Sequence, residues 1–244
     1  MLSKSQVKYI QSLGHKKFRD EGAVFIAEGP KIVKELITEI PGLIKEVFAV
    51  KEWVNENQIL LNQTAHTTIE EADLERISLL SAPNKVLAVV KKIIDGPIDS
   101  NDKITLVLDA IQDPGNMGTI IRTADWFGIN QVVCSNDCAD IYNPKVVQAT
   151  MGSIARVRTM YTDLRPWLQQ QKVKIYAAAL AGKDIRKIDK IPAGILIIGN
   201  ESRGIHPDLL QMAHEKITIT KSGKAESLNA AVATGIILSR IVKN

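Results

Sequence analysis

The sequence predicts an α/β protein whose C-terminal part is built on a parallel sheet. Short apolar runs of strand length alternate with helical segments along the 244 residues. Runs such as 104–109 are almost continuously apolar, which is typical of strands covered on both faces of a parallel sheet. Gly, Pro, Ser, Asn and Asp cluster at 95–103, between two such α/β stretches. We therefore predict two domains, 1–97 and 98–244.

The N-terminal part is predicted to be a small α/β domain. Pro30 occupies the favoured first-turn position of a helix that has Ile32, Val33, Leu36 and Ile37 on one face. The other elements predicted before the break are a helix over 4–13, a strand over 24–27, a strand over 44–50, a helix over 71–80 and a strand over 86–90.

The same alternation continues after the break. The predicted strands are 104–109, 131–134, 174–180, 195–198 and 216–220. The predicted helices are 116–127, 146–151, 164–171, 207–213 and 227–242. Strands that alternate with helices in this way favour a parallel sheet with helices on both faces.

Composition excludes several classes of protein. Apolar residues make up 45% and charged residues 24%, as in an ordinary globular protein. No run approaches the roughly 18 apolar residues of a membrane span, and the first residues lack the pattern of a secretion signal. Cys134 and Cys138 are too few for a disulfide framework or a zinc site. We expect a cytoplasmic protein with two unpaired thiols and no metal.

Basic residues are concentrated at the start of the chain, although the net charge is only +4. The first 20 residues contain Lys4, Lys8, Lys16, Lys17 and Arg19 and a single acidic residue. Such a segment suits a polyanion, because each phosphate contact releases counterions. A solvated helix face is the alternative interpretation.

Three polar loops follow predicted strands, where ligands bind in open parallel sheets. In the first, Asn116 stands where a helix N-cap is expected, and the planar fork of Arg122, almost two turns later, suits phosphate. Plain capping and a surface arginine are the structural alternatives. The second loop contains Gly199, Glu201 and Gly204, and its glycines permit close approach of the backbone to a ligand.

The third loop leads into the last helix. Ser227 is the expected N-cap of that helix, and capping does not explain Asn229. The sequence has neither a Gly-x-Gly-x-x-Gly dinucleotide fingerprint nor a phosphate-binding P-loop. The first absence argues against a nucleotide-dependent oxidoreductase. The four histidines have no metal-ligand spacing.

In this order the three loops resemble the motifs of the SpoU (TrmH) family of RNA methyltransferases, in the SPOUT superfamily. The matching segments are Asn116-Met-Gly-Thr-Ile-Ile-Arg122, Gly199-Asn-Glu-Ser-Arg-Gly204, Ser227-Leu-Asn229 with the small-residue helix after it, and Met151-Gly-Ser153. The N-terminal part resembles the L30-like substrate-binding domain of this family, through residues 25–29 and 87–90.

The resemblance implies S-adenosylmethionine-dependent 2′-O-methylation of RNA by a homodimer with a deep C-terminal trefoil knot. It implies catalytic roles for Asn116, Arg122, Glu201, Ser227 and Asn229. It implies that the methyl donor lies against Leu180, Ala181, Gly199, Gly204, Ile219 and Leu228, and that Lys16, Lys17 and Arg19 bind RNA. The sequence departs from the family pattern at Ile219-Thr220-Lys221, where relatives have Ile-Pro-Met.

Several alternatives stay open at this point. The extra N-terminal domain favours ribosomal RNA of the 23S type, with transfer RNA as the alternative substrate. A non-catalytic RNA-binding relative would have lost motif residues, and all five are present. Arg122 is either the base or a phosphate anchor, and we favour anchoring with polarisation because an arginine rarely releases its proton.

Overall fold

The computed structural model describes residues 2–94, 96 and 98–243. The chain divides into two compact units. The first contains the residues up to Ile94 together with Asp140–Arg156, and the second contains the segment that ends at Ala139 together with the residues from Val157 onward.

The first unit is an α/β unit around a mixed four-stranded sheet in the order β1-β4-β2-β3. Its strands are β1 (Val24–Glu28), β2 (Ile44–Val50), β3 (His66–Ile69) and β4 (Val86–Lys91). Its helices are α1 (Lys4–Ser12), α2 (Lys16–Gly22), α3 (Pro30–Glu39), α4 (Lys51–Glu56), α5 (Gln58–Leu61), α6 (Glu71–Ile77) and, far along the chain, α8 (Pro144–Thr150). Strand β4 runs antiparallel to both of its neighbours, and only β2 and β3 pair in parallel.

The segment 140–156 packs in this first unit, although the predicted boundary assigns it to the C-terminal domain. The hydroxyl of Tyr142 accepts a hydrogen bond from the Ile93 amide and donates one to the Ile93 carbonyl, both at 3.0 Å. The Arg156 guanidinium forms an ion pair with Glu35 at 2.7 Å. The predicted boundary itself falls at Pro97, which, like Asp95, lies outside the described residues.

The described part of the second unit contains a parallel sheet of six strands in the order β10-β8-β9-β5-β6-β7. The strands are β5 (Ile104–Asp109), β6 (Gln131–Cys134), β7 (Arg158–Tyr161), β8 (Ile175–Asp184), β9 (Gly194–Gly199) and β10 (Glu215–Thr218). The helices are α7 (Pro114–Trp126), α9 (Leu164–Gln169), α10 (Pro207–Met212) and α11 (Ala230–Ile241). This confirms the predicted α/β fold with its parallel sheet, and the knot stays a prediction.

The central strands of this sheet are buried along their whole length. All six residues of β5 are buried, and Val107, Ile195 and Ile197 belong to a core that Leu168 and Leu209 of the flanking helices complete. This burial explains why apolar runs identified these strands in the sequence. Strands β3 and β7 were not predicted, because they are four residues long and only partly buried.

The beginnings of two helices differ from the prediction. Helix α7 is capped by Asp113, whose carboxylate accepts a hydrogen bond from the Asn116 amide at 2.7 Å, and Pro114 takes the first helical position. Helix α11 begins at Ala230 and not at 227, because the Asn229 side chain caps it. Asn116 and Ser227 were therefore wrong as N-caps, and capping does explain part of the role of Asn229.

Strand β8 has an irregular C-terminal half. Lys216 and Ile217 of β10 are consecutive, but their partners on β8 are Ala177 and Lys183. The five residues between those partners form a bulge at the carboxyl end of the sheet. Gly182 lets the bulge lie against β10, since a Cβ there would be 2.5 Å from the Lys216 carbonyl oxygen.

In the described part of the chain, no helix combines the length and the hydropathy that crossing a membrane requires.

Candidate active site

Side chains from the three polar loops meet in one hydrogen-bonded chain. The Asn229 amide nitrogen Nδ2 donates to Asn116 Oδ1 at 2.7 Å. The Asn116 Nδ2 in turn donates to Glu201 Oε1 at 2.5 Å. Residues that are 85 and 113 positions apart in the sequence are thus joined through Asn116.

The orientation of both amides follows from their partners. Asn229 Oδ1 accepts hydrogen bonds from the Ala231 and Val232 amides, so its nitrogen must be the group that faces Asn116. A donor requires an acceptor, and Asn116 therefore presents its oxygen to Asn229 and its nitrogen to Glu201. The Glu201 carboxyl oxygen accepts the last hydrogen bond of the chain.

The start of α7 fixes the position of Asn116. Asp113 caps the helix, and Asn116 lies in its first turn, where the Asp113 carboxylate holds the Asn116 amide. Asn116 is half-buried, so its side chain is ordered by this backbone contact and by Glu201 and Asn229. An Asp followed by Pro is a sequence signature of a helix start, and it marks the start of α7 here.

The loop that carries Glu201 is anchored to the end of β5. Asn200 Nδ2 donates to the Ala110 carbonyl at 2.8 Å, and Asn200 Oδ1 accepts from the Ser202 and Arg203 amides. The His206 amide donates to Asp109 Oδ2 at 2.6 Å. Burial of the Asp109 carboxyl raises its pKa, and this hydrogen bond partly offsets that effect. Asn200 and Asp109 were missed as positioning residues.

Two glycines shape the same loop. A Cβ on Gly199 would lie 2.4 Å from backbone atoms of Gly204 and Ile205, so no other residue fits without opening the loop. Gly204 has φ +70°, a left-handed conformation that favours glycine. The amides of Asn200 and Gly204 donate to each other's carbonyl groups and close the turn.

Arg122 does not share the crevice of Asn116. It lies six residues later on α7, about 9 Å along the axis and roughly 120° around it. Its side chain is exposed, and the structure gives its guanidinium no hydrogen bond or ion pair with any described residue. Among the described residues of one subunit, Glu201 and Asn229 contact Asn116 and not Arg122.

Ser227 lies in an exposed segment, 220–229, that leads to α11. Within the described residues it has no hydrogen-bond partner, and its catalytic role stays a prediction. In the same segment the Lys221 ammonium donates to the Ala225 carbonyl at 3.4 Å.

The residues predicted to hold the methyl donor lie at the carboxyl ends of β8, β9 and β10. Leu180 is in the bulge of β8 and is 81% exposed, and Leu228 is 44% exposed. Ala181 is exposed beside Leu180, Ile219 directly follows β10, and Gly199 ends β9. The bulge and the turn that Gly199 and Gly204 close bring backbone atoms to this edge of the sheet, beside the exposed Leu180 side chain. The set fits a ligand with an apolar ring and polar groups that backbone atoms can bind.

The predicted RNA-binding residues divide into two groups. Lys16 and Lys17 are exposed at the start of α2. Arg19 was wrong as an RNA contact, because it is only 2% exposed and forms an ion pair with Asp140 at 2.6 Å. Its guanidinium also donates to the Leu13 and Gly14 carbonyls, so it stabilises the first unit.

A cavity of about 400 Å³ lies elsewhere in the second unit, at the ends of β5, β6 and β7. Four carboxylates line it, Asp109, Asp137, Asp163 and Asp208, and none of the predicted catalytic residues does. The four carboxylates outnumber Arg165, which also lines the cavity and is paired with Asp208 at 3.1 Å, so we do not assign RNA, a polyanion, to it. Among the described residues, no group of His, Cys, Asp and Glu is placed to hold a metal ion.

Family models match both parts of the chain. Residues 103–239 match the SpoU rRNA Methylase family, and residues 4–88 match the MRM3-like substrate binding domain. The three motif loops fall within the first match, and the basic start of the chain falls within the second.

Relatives in sequence and structure agree with these matches. The chain is 30% identical to the 23S rRNA (guanosine(2553)-2′-O)-methyltransferase RlmP of Bacillus subtilis, over 96% of the chain and 94% of the relative. It is 24% identical to the 23S rRNA (uridine(2479)-2′-O)-methyltransferase of Streptomyces viridochromogenes, over 95% and 86%. The AdoMet-bound rRNA methyltransferase from Sinorhizobium meliloti superposes with a TM-score of 0.86 and 31% identity, over 98% of this chain and 95% of that chain.

Proposed function

The chain belongs to the SpoU rRNA methylase family and is an RNA 2′-O-methyltransferase that uses S-adenosylmethionine, and on this basis we propose that its substrate is 23S ribosomal RNA. The two relatives described above modify a guanosine and a uridine of that RNA. Because those two nucleotides differ, the nucleotide that this protein modifies has to be mapped on the RNA itself.

The assignment of the active site depends on the hydrogen-bonded chain of side chains from Asn229 through Asn116 to Glu201. It joins the three motif loops beside the edge where Gly199 ends β9. Each link is a hydrogen bond between side chains, and each has a fixed direction. We assign these hydrogen bonds a positioning role. They hold the three motif loops in one arrangement around the proposed binding site of the methyl donor.

The chemistry requires a nucleophile to be polarised and aligned. A ribose 2′-hydroxyl is a weak nucleophile, so its reaction depends on orientation and on removal of its proton. S-adenosylmethionine supplies an electrophilic methyl group on a positively charged sulfur. Leu180 and Leu228 would provide apolar surface for its adenine, and we assign Ser227 the contact with the nucleotide. Arg122 anchors the phosphate beside the reacting ribose and polarises it.

We further propose that two copies form a homodimer, with Arg122 acting in the site of the partner subunit. Arg122 points away from Asn116 on its own helix. Trp126, one turn after Arg122, is 85% exposed. A subunit contact that covers Trp126 would also bring Arg122 close to the other subunit.

Helix α11 also exposes apolar side chains. Val232 and Ile236, one turn apart on that helix, are 51% and 37% exposed. Helices α7 and α11 are in contact, since a Cβ on Gly235 would lie 3.8 Å from the Thr123 methyl group. Large exposed apolar patches mark interaction surfaces, and a second copy is the partner that completes the site.

Mixed dimers test the shared site. Neither the Arg122→Ala protein nor the Asn116→Asp protein should transfer methyl groups efficiently by itself. In a mixed dimer, the Arg122→Ala subunit keeps its own Asn116 and receives Arg122 from the Asn116→Asp subunit. One of the two sites is then complete. If assembly is random, mixing equal amounts should restore about a quarter of wild-type activity. Absence of any recovery, with mixed dimers demonstrated, contradicts the shared site.

The substrate is tested by methyl transfer from labelled S-adenosylmethionine to separate pools of unmodified 23S ribosomal RNA and transfer RNA. We expect label in the ribosomal pool only. Label in transfer RNA alone would replace the proposed substrate. Donor binding without transfer to either pool or to assembled large subunits would favour a non-catalytic RNA-binding relative.

We propose that the first unit contributes RNA affinity through Lys16 and Lys17.

We also propose a cytoplasmic location, supported by Cys134 and Cys138, which are buried free thiols and not a disulfide. Fractionation of cells that express the tagged protein tests this location.

A further inference from the structure

Two aromatic rings of the first unit are exposed beside its basic residues. Tyr9 on α1 and Phe18 on α2 are 40% and 41% exposed. Phe25, Phe48 and Trp53 of the same unit are at most 2% exposed, as is usual for side chains of this size. The exposed rings therefore coincide with the part of the chain that contains the N-terminal lysines.

Each exposed ring has a lysine over or beside it. The Lys45 ammonium is 5.3 Å from the centre of the Tyr9 ring and donates to its hydroxyl at 3.3 Å. The Lys17 ammonium is 6.0 Å from the centre of the Phe18 ring. The His15 ring packs edge-on against Phe18, with 6.3 Å between centres, and limits how that ring can turn.

The two rings lie along the same side of α2. Gly22 is one turn after Phe18 and shares its face of the helix. A Cβ on Gly22 would lie 4.0 Å from the Tyr9 hydroxyl, so Tyr9 approaches the same face. We call this surface, formed by Tyr9, Phe18, Lys17 and Lys45, the α1–α2 platform.

We propose that the α1–α2 platform binds unpaired nucleotides of the RNA substrate, with bases stacked on Phe18 and Tyr9 and phosphates near Lys17 and Lys45. This inference rests on the proposed function, which supplies the RNA. Proteins recognise single-stranded RNA through exposed aromatic rings that stack on bases, combined with basic side chains that follow the backbone. Because any base can stack, the platform grips a loop or bulge without reading its sequence.

Charge favours RNA over a protein partner as the occupant. Lys16 and Lys17 are exposed on α2, Lys8 is exposed on α1, and Lys45 is exposed beside Tyr9. The carboxylate nearest to Lys17 is Glu21, at 3.9 Å, in a pair whose members are 76% and 59% exposed. Such an exposed pair is weak and leaves the lysine available to phosphate.

The test compares variants in binding to a 23S ribosomal RNA transcript across a series of salt concentrations. Phe18→Ala and Tyr9→Ala should each weaken binding by roughly 5- to 100-fold, with an unchanged salt slope, because stacking releases no counterions. Lys17→Gln should reduce the slope. Phe18→Trp should retain affinity. Ile59→Ala, which changes an apolar residue that is 96% exposed on α5, is the matched control.

Steady-state methyl transfer distinguishes this proposal from the proposed function. Phe18→Ala should raise the KM for RNA and leave kcat at saturating RNA unchanged. If no RNA is methylated but affinity still depends on Phe18, the proposed function fails and the platform stands. If Phe18→Ala binds RNA as well as Ile59→Ala does, the platform is overturned. It is equally overturned if the only effect is a change of oligomeric state in light scattering, which would indicate a protein contact.

Discussion

At the scale of single residues, Asn116 has the most constrained position in the second unit. Its backbone amide is held by Asp113, its oxygen by Asn229, and its nitrogen contacts Glu201. An amide accepts from one partner through its oxygen and donates to the other through its nitrogen. Neither a carboxylate nor an apolar side chain of similar volume can replace it.

Asn116→Asp tests this position. The new carboxylate would face Glu201 across a contact of 2.5 Å, and two carboxylates so close cannot both ionise. We expect kcat/KM for methyl transfer to fall by about 100-fold at pH 7.5, because the loops of the site shift. Gln211→Glu makes the same change of charge on exposed α10 and should be without effect. A normal rate for Asn116→Asp would exclude the hydrogen-bonded chain from catalysis.

Glu28 gives a second prediction, about stability and pH. Burial of this carboxyl, which is 4% exposed, raises its pKa above 4.5, although hydrogen bonds from Ser78 and Leu79 oppose the shift. Just above pH 4.5 the folded chain therefore binds more protons than the unfolded chain. The free energy of unfolding should fall, relative to that of Glu28→Gln, as pH rises through this range.

Urea unfolding of both proteins at a series of pH values measures this difference. Glutamine does not ionise, so the stability of the variant relative to the wild type should rise as the pH increases above about 4.5. A wild type that gains stability relative to the variant as pH rises would show that hydrogen bonding, and not burial, dominates at Glu28.

At the scale of elements, α11 combines a structural and a functional contact in one residue. Asn229 Oδ1 caps the helix, and its Nδ2 binds Asn116. The sequence predicted the helix from its apolar pattern but placed its start at 227, because serine is also a favoured N-cap. Capping depends on which backbone amides are within reach, and only the structure supplies that information.

Substitutions separate the two contacts of Asn229. Asn229→Ala should cost about 1 kcal/mol of stability, the usual effect of losing an N-cap. Asn229→Asp keeps the capping oxygen but has no donor for Asn116, so stability should be retained and methyl transfer lost.

Ser227→Ala should leave the unfolding temperature unchanged, because Asn229 and not Ser227 caps α11. Destabilisation by Ser227→Ala, measured by calorimetry, would contradict the observed start of α11.

Features that depend on contacts between distant parts of the chain account for the other differences between the prediction and the structure. The buried strands β5 and β9 could be predicted from their apolar runs. The motif residues of the site could be predicted from the resemblance to the family. The bulge in β8 was not, because the register shift at Lys216 and Ile217 depends on pairing with a strand far along the chain. The burial of Arg19 also depends on a distant partner, Asp140, which sequence periodicity cannot reveal.

At the scale of the whole molecule, the proposed homodimer would cover the exposed apolar side chains of α7 and α11. Trp126→Lys places a charge in the middle of the proposed contact and should give a monomer that no longer transfers methyl groups. Light scattering and the methyl transfer assay measure the two effects. Ile59→Lys, at an exposed position of the first unit, is the control. A Trp126→Lys dimer with full activity would move the subunit contact elsewhere.

The central claim is that this protein methylates the ribose of ribosomal RNA, and the chemical position of the methyl group tests it most directly. 23S ribosomal RNA labelled by the protein from S-adenosylmethionine is hydrolysed with alkali, which cleaves only where the 2′-hydroxyl is free. We predict that the label is recovered in an alkali-resistant dinucleotide, and that Arg122→Ala gives little or none. Label recovered in mononucleotides would mean that a base is methylated and would contradict the account.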